Sequence, residues 1–456
     1  MALFIDLPDD LSKSILLEFL DIRDWGVLDI ALGQYLAKFY RAYLHSLTCP
    51  NLSFENCDKY SDLTKLYEWS YSNRIKLQNV YFNKQTMQLL HESKMKYHLE
   101  NVIHLQVDAL PDIKINDLIK SCTNLKSLSC NATNVDFAQI CPALLARLKT
   151  LFLDHKKGQS IASSDYSMAM TAMKQCLLLE EFKCGFVMDI HLNLVFDFFK
   201  TCKHLSRLDL CGSAQVIEGI LASGLDLQAL TLRCDVSMLI VVAILRTYPN
   251  LEALAVGQMF LNKSEKSLTL QPTETVDIGT WEAFAREIEG VTKVHLNLED
   301  NTFHVSLANF FAIIGANVNN LKLVGHVSSE FCTQVVGLCP GLKTLKLNVW
   351  CRVDFCSMLI VDNVIENLDV RGKFDFDGLM HILGCCRHLC QCVVTSTWMG
   401  CELEDEVCIQ RLRGMMFSYQ NEERSSSKFL IEWETTQDIH SLKVETYPSY
   451  CFVLLY

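Results

Sequence analysis

Along most of the chain, apolar residues recur in the string L-x-x-L-x-L. Clear copies are Leu125, Leu128 and Cys130; Leu148, Leu151 and Leu153; Leu205, Leu208 and Leu210; Leu227, Leu230 and Leu232; and Leu342, Leu345 and Leu347. Weaker copies put Val, Ile, Phe or Cys at the same places. The last part of each string alternates apolar and polar positions, which is the period of a strand with one buried face. The middle apolar residue marks thirteen positions: Val80, Leu105, Leu128, Leu151, Phe182, Leu208, Leu230, Leu254, Val294, Leu321, Leu345, Leu368 and Cys392. They are separated by 25, 23, 23, 31, 26, 22, 24, 40, 27, 24, 23 and 24 residues. Between them lie stretches such as SMLIVVAILRTYPN, LVFDFFKTCKHL and DFDGLMHILGCC. Their apolar residues are spaced for helices, and they end near Pro, Asn or Gly. Each unit therefore reads as a short strand, a loop and a helix.

Ten of those twelve separations fall within the span of a leucine-rich repeat, about 20–29 residues. One strand–helix unit cannot bury its own apolar face, so the units must stack. The expected fold is α/β: a leucine-rich repeat solenoid, a horseshoe with a parallel sheet on its concave face and helices on its convex face. Cys122, Cys176, Cys202, Cys339 and Cys386 each stand three residues before the first apolar strand residue of their repeat. That place closes the helix and faces inward, where a free Cys acts as a small hydrophobe. Strings such as CTNLKSLSC, CKHLSRLDL and CPGLKTLKL resemble the cysteine-containing leucine-rich repeat subfamily over residues 75–400 or so. Two separations are long. The first holds DHKKGQSIASSDY, which reads as a surface loop. The second holds QMFLNKSEKSLTLQPTETVDIGT, which is polar, contains a proline, and is expected to project as a loop or hairpin.

The first fifty residues follow a different pattern. LPDDLSKSILLEFLDIRDWGVLDIALGQYLAKFYRAYLHSL opens with Pro8, Asp9 and Asp10, residues suited to the first turn of a helix. Leu11, Ile15 and Phe19 form one apolar face, and two further helical stretches follow. This three-helix unit resembles an F-box, through Leu7, Pro8, Asp9, Ile15, Leu16, Leu20 and Asp21. The Val-Cys pair and later Trp usual in that family have no counterpart in IALGQYLAKFYRAY. The resemblance implies an SCF-type (Skp-cullin-F-box) ubiquitin ligase. A Skp-type adaptor and cullin would meet a patch at Leu7, Pro8, Leu11 and Ile15, and the repeats would hold a substrate protein. The alternative is a helical cap on a leucine-rich repeat scaffold with no ubiquitin role. Residues 1–48 are thus assigned to the F-box-like unit, 49–400 to about thirteen repeats, and 401–456 to a C-terminal cap.

Composition narrows the function. Half of the 456 residues are apolar, too many for a disordered chain. The formal net charge of −12 argues against nucleic acid or an anionic membrane as partner. The uncharged apolar run MLIVVAIL is far shorter than the roughly 20 residues a bilayer needs. MALFIDLPDD has no cationic start, so a cytoplasmic protein is expected, with the nucleus as an alternative. Twenty-one cysteines, an odd count, read as reduced thiols rather than a disulfide framework. Phosphate-loop, dinucleotide, zinc-protease and nucleophile-elbow motifs are missing. His381, Cys385 and His388 share a helix face and read as packing residues. The expectation is no catalytic residue, no metal and no cofactor.

Interaction chemistry is expected on the open face of the strands. The residues flanking each middle Leu point away from the core. In the later strands they include Arg207, Arg233, Lys293, His295, Lys322, Lys346 and Arg371, opposed by Asp209 and Asp369. Six Lys or Arg against two Asp run counter to the sign of the whole molecule. A partner that is acidic or phosphorylated fits such a face.

Overall fold

The computed structural model describes residues 48–49, 76–82, 99–108, 115–154, 169–187, 192–272, 276–299, 304–352, 364–373, 377–378, 380–381, 386, 388–396, 410–411, 427–434, 439–447 and 450–455. Leu7, Pro8, Leu11 and Ile15, with the rest of the F-box-like segment, lie outside the described residues. Two compact units divide the chain, Met1–Cys234 and Asp235–Tyr456.

In the first unit, β1 (Thr48–Cys49) pairs in parallel with β2 (Lys76–Leu77). A second, parallel ladder runs in chain order through β3 (Asn79–Phe82), β4 (His104–Val107), β5 (Ser127–Asn131) and β6 (Thr150–Asp154). It continues through β7 (Glu181–Val187), β8 (Arg207–Cys211) and β9 (Ala229–Leu232). Parallel neighbours need a crossover connection. Helices α1 (Asn116–Ser121), α2 (Pro142–Leu145), α3 (Leu192–Thr201) and α4 (Ala214–Leu221) lie in those connections.

Register follows the buried residues. Val80 stands opposite Leu105, and the row continues through Leu128, Leu151, Phe182, Leu208 and Leu230. All are buried. A slip of one residue would turn each of them out to solvent, so burial locks the pairing. From α3, Phe198 meets Phe182 edge-on with ring centroids 5.0 Å apart. This is the strand–helix stacking that leucine-rich repeats produce.

The second unit contains α5 (Met238–Thr247), β10 (Ala253–Val256), β11 (Met259–Asn262), β12 (Ser267–Leu270), α6 (Ile278–Glu287) and β13 (Lys293–Leu298). Next come α7 (His304–Ile314), β14 (Asn320–Gly325), α8 (Ser329–Gly337), β15 (Thr344–Arg352), β16 (Asn367–Lys373) and β17 (Gln391–Ser396). The parallel ladder from β12 to β17 extends to β18 (Ser427–Glu434). Beyond it, β19 (Ile439–Tyr447) and β20 (Tyr450–Leu455) add two antiparallel strands. Trp281, Phe284 and Phe310 join α6 to α7, with ring centroids 5.5 to 6.1 Å apart.

The insertion after Gly257 differs from the expected projecting segment. β11 pairs antiparallel with both β10 and β12, so the inserted residues are part of the sheet. Leu261 stands opposite Leu254 and Leu268, and Leu268 stands opposite Val294. The separation of 40 is therefore 14 across a hairpin plus 26 across one more repeat. Met259, Leu261 and Leu268 supply the burial. Gly257 makes the turn with φ +52, a conformation that favours glycine.

The cysteine-bearing repeats close their helices in the same way. Leu125, Leu205 and Leu342 donate their N–H to the carbonyls of Cys122, Cys202 and Cys339 at 3.1, 3.2 and 3.1 Å. The thiols of Cys122, Cys176, Cys202, Cys339 and Cys386 are fully buried. Burial alone pushes the thiols of Cys122, Cys202 and Cys339 up to about 12. The thiolate is the nucleophile, so these cysteines are inert in the folded protein. Cys141 and Cys390 are exposed.

Two predictions follow from this packing. Alkylation of the native protein at neutral pH should modify Cys141 and Cys390 and spare Cys122, Cys202, Cys339 and Cys386, as read by peptide mass spectrometry. Rapid modification of the latter four would contradict the register. Gly325 has φ +107, and a Cβ there would lie 2.1 Å from the Leu298 carbonyl oxygen. Gly325→Ala should therefore destabilise the protein by about 1–3 kcal/mol or more, measured by thermal or denaturant unfolding.

Candidate functional site

The residues that point away from the helices form rows across the open face of each unit. In the second unit one row reads Thr269, His295, Lys322, Lys346 and Asp369, each directly opposite the next. Adjacent strands lie about 4.8 Å apart, so His295, Lys322 and Lys346 share a strip roughly 10 Å wide. A neighbouring row reads Ser267, Lys293, Asn320, Thr344 and Asn367. Alternating burial along β13 and β14 confirms that Lys293, His295 and Lys322 face away from the core.

The structure separates the predicted cations into two groups. Arg207 and Arg233 belong to the first unit; Lys293, His295, Lys322, Lys346 and Arg371 belong to the second. Within the first unit Asp209 pairs with two cations, Arg233 and Lys183. Arg233 grips Asp209 with a two-pronged bond, Nε to Oδ1 at 2.9 Å and the other prong to Oδ2 at 2.8 Å. Lys183 approaches the same carboxylate at 3.6 Å and lies 5.9 Å from the Phe152 ring centre. Arg207 stands directly across from Glu181. Within the second unit, Arg371 Nε donates to Asp369 Oδ1 at 3.1 Å.

Lys322 and Lys346 are different. They face each other across two strands, and neither has an ion-pair partner among the described residues. Like charges directly opposite on a sheet are destabilising. His295 completes the cluster as a neutral neighbour. Its pKa is held below the usual histidine range, first by burial and then by the Lys322 charge.

Sequence reasoning located these positions but missed their pairing. It also missed the aromatic corner of the same face. Trp350, on β15, and His326, which follows β14, meet edge to face with ring centroids 5.5 Å apart. The available signal was parity: in TLKLNVW, Trp350 falls in step with Lys346 and out of step with Leu345 and Leu347.

On the helix side, a recess of about 460 Å³ between α5 and α6 is lined by Leu239, Val242, Ala243, Arg246, Asp277 and Thr280. Its polar groups are committed elsewhere. Asp277 caps α6 by accepting from the Thr280 N–H at 2.9 Å and the Thr280 hydroxyl at 2.5 Å. Arg246 is held by Glu287 at 2.8 Å. Among the described residues no group of three or more His, Cys, Asp or Glu is placed to hold a metal ion. Nor is any helix among them long and apolar enough to cross a membrane.

The His295 environment can be tested directly. Since folding lowers this pKa, its contribution to stability is full above about pH 6.5 and is lost as pH falls through the lowered value. An NMR titration should place His295 below the usual value. Lys322→Ala should raise it only part of the way, because burial is the larger cause.

No family model matches the chain, and no curated protein matches it. Among solved structures, the leucine-rich repeat-containing protein LegL7 from Legionella pneumophila is similar at 13% identity and a TM-score of 0.30, covering 53% of this chain and 89% of its own. The complex of Rad7 and Elc1 in yeast is similar at 15% identity and a TM-score of 0.34, covering 83% of this chain and 94% of the other. The repeat assignment rests on the register of the buried residues and the crossovers between them.

Proposed function

We propose that this chain is a non-catalytic recognition protein whose second unit binds an acidic or phosphorylated segment of a partner protein on its open sheet face. The observation that carries this reading is the Lys322–Lys346 pair. Two ammonium groups stand opposite each other in a chain of net charge −12, and Asp369, the acid next in their row, is bonded to Arg371 instead. An arrangement that opposes folding by like-charge repulsion is relieved when an anion binds between the charges. Lys293 widens the same field, and the half-buried, neutral His295 adds a hydrogen-bonding group beside it.

The fuller form of the proposal adds an N-terminal function. Leu7, Pro8, Leu11 and Ile15 dock a Skp-type adaptor and its cullin, and the repeats present the substrate to the ubiquitin-transferring enzyme by proximity. The Leu-Pro-acid helix start supports it. A repeat scaffold without a ubiquitin role is the rival.

Two measurements separate these readings. The double change Lys322→Glu, Lys346→Glu should weaken partner binding by about tenfold or more, and raising salt should weaken binding by the unmodified protein. Indifference to both would remove the open face from the account. Purified Skp-type adaptor should bind the unmodified protein and should be lost on Leu7→Ala, Pro8→Ala. Failure of the unmodified protein to bind any adaptor, with salt-sensitive partner binding intact, would leave the scaffold.

A further inference from the structure

Beyond the lysine pair, the open face of the second unit changes character along the same two strands. From Lys346, β15 presents Asn348 and then Trp350; from Lys322, β14 presents Val324 and then leads to His326. The floor between the two ends is uncharged. Trp350 is 52% exposed, although an indole is among the most apolar surfaces a protein can bury. His326 meets it in a T-shaped contact, with the two rings at 83°. Lys346 and Trp350 are four residues apart, about 13 Å along a strand.

The type of cation selects the type of anion. Guanidinium forks are the groups that match phosphate with paired bonds. On these faces Arg233 and Arg371 are already bonded to Asp209 and Asp369. Among the described residues of the second unit's face, what stays open is a set of ammonium point charges on flexible stems, suited to carboxylates spread along a chain.

We propose that this face takes an extended acidic peptide. Its carboxylates meet Lys322 and Lys346, and an aromatic side chain about four residues away packs on Trp350 beside His326. This rests on the anion-binding reading above and adds the aromatic contact and the spacing. Charge complementarity sets the polar end, and the half-exposed indole sets the apolar end.

The test uses the full-length protein and labelled peptides read by fluorescence anisotropy at low salt. Each peptide carries a Glu-Glu pair in a Gly-Ser background, with one Phe two, four or six residues away on either side. A Phe→Ala peptide and a phosphoserine peptide complete the set. The peptide with Phe at four residues should bind at least fivefold tighter than its Ala control. Trp350→Ala should erase that gain without altering the affinity for the Ala control, and Trp350→Phe should keep it. Lys322→Glu, Lys346→Glu should abolish binding of every acidic peptide. A Phe gain that survives Trp350→Ala, or is equal at all spacings, would overturn the aromatic contact while leaving the anion-binding reading intact. A phosphoserine peptide binding tenfold tighter than Glu-Glu would overturn the choice of carboxylate. If no acidic peptide binds, the anion-binding reading itself falls.

Discussion

A short strand with one buried face can pair with its neighbour in a single register, because a shift of one residue exchanges every buried side chain for an exposed one. In this chain that constraint is repeated from strand to strand. Leu105, Leu128 and Leu151 in one unit, and Leu268, Val294 and Leu321 in the other, stand in unbroken rows. The helices exist to cover those rows, and the cysteine turns exist to end the helices in time for the next strand. The same constraint also fixes what faces outward. Once Leu321 is opposite Leu345, Lys322 has no alternative to Lys346.

This explains how a fold that is mostly packing comes to carry a recognition surface. Outward positions contribute little to the core, so their chemistry is free to vary while their geometry is not. The first unit uses that freedom to pair charges, with Asp209 held between Arg233 and Lys183. The second unit leaves Lys322 and Lys346 without an ion-pair partner among the described residues, with neighbouring Asp369 bonded to Arg371, and places an exposed indole farther along β15. The contrast is between two faces built by the same rule, and it concerns side chains that packing does not dictate.

The sheet was largely legible in the amino-acid pattern, since burial imposes a period of two within each strand and a regular length on each repeat. The thirteen marker positions fall within strands, and the buried cysteines stand where the C-x-x-L spacing puts them. That β11 and β12 join the sheet instead of projecting was not legible. Met259, Leu261 and Leu268 are few apolar residues in a polar stretch, and their burial depends on strands supplied by the neighbouring repeats. Ion pairs were harder still. Arg233 reaches Asp209 diagonally, from just past the end of β9 and two residues beyond Thr231, which stands directly opposite that aspartate. Such a contact depends on side-chain reach, which residue spacing does not encode. The Asp369–Arg371 pair was accessible in principle, being two residues apart on one strand.

The central claim is that the open face of the second unit is where a partner's carboxylates land. Zero-length carbodiimide coupling tests it most directly, because it joins a carboxylate to an amine only when the two are in contact. The protein would be coupled to its co-purifying partner and the joined peptides mapped by mass spectrometry. The account predicts that intermolecular links concentrate at Lys322 and Lys346, with Lys293 next, and disappear in high salt. Links confined to helix-side lysines such as Lys174 and Lys200, with Lys322 and Lys346 unmodified, would contradict it.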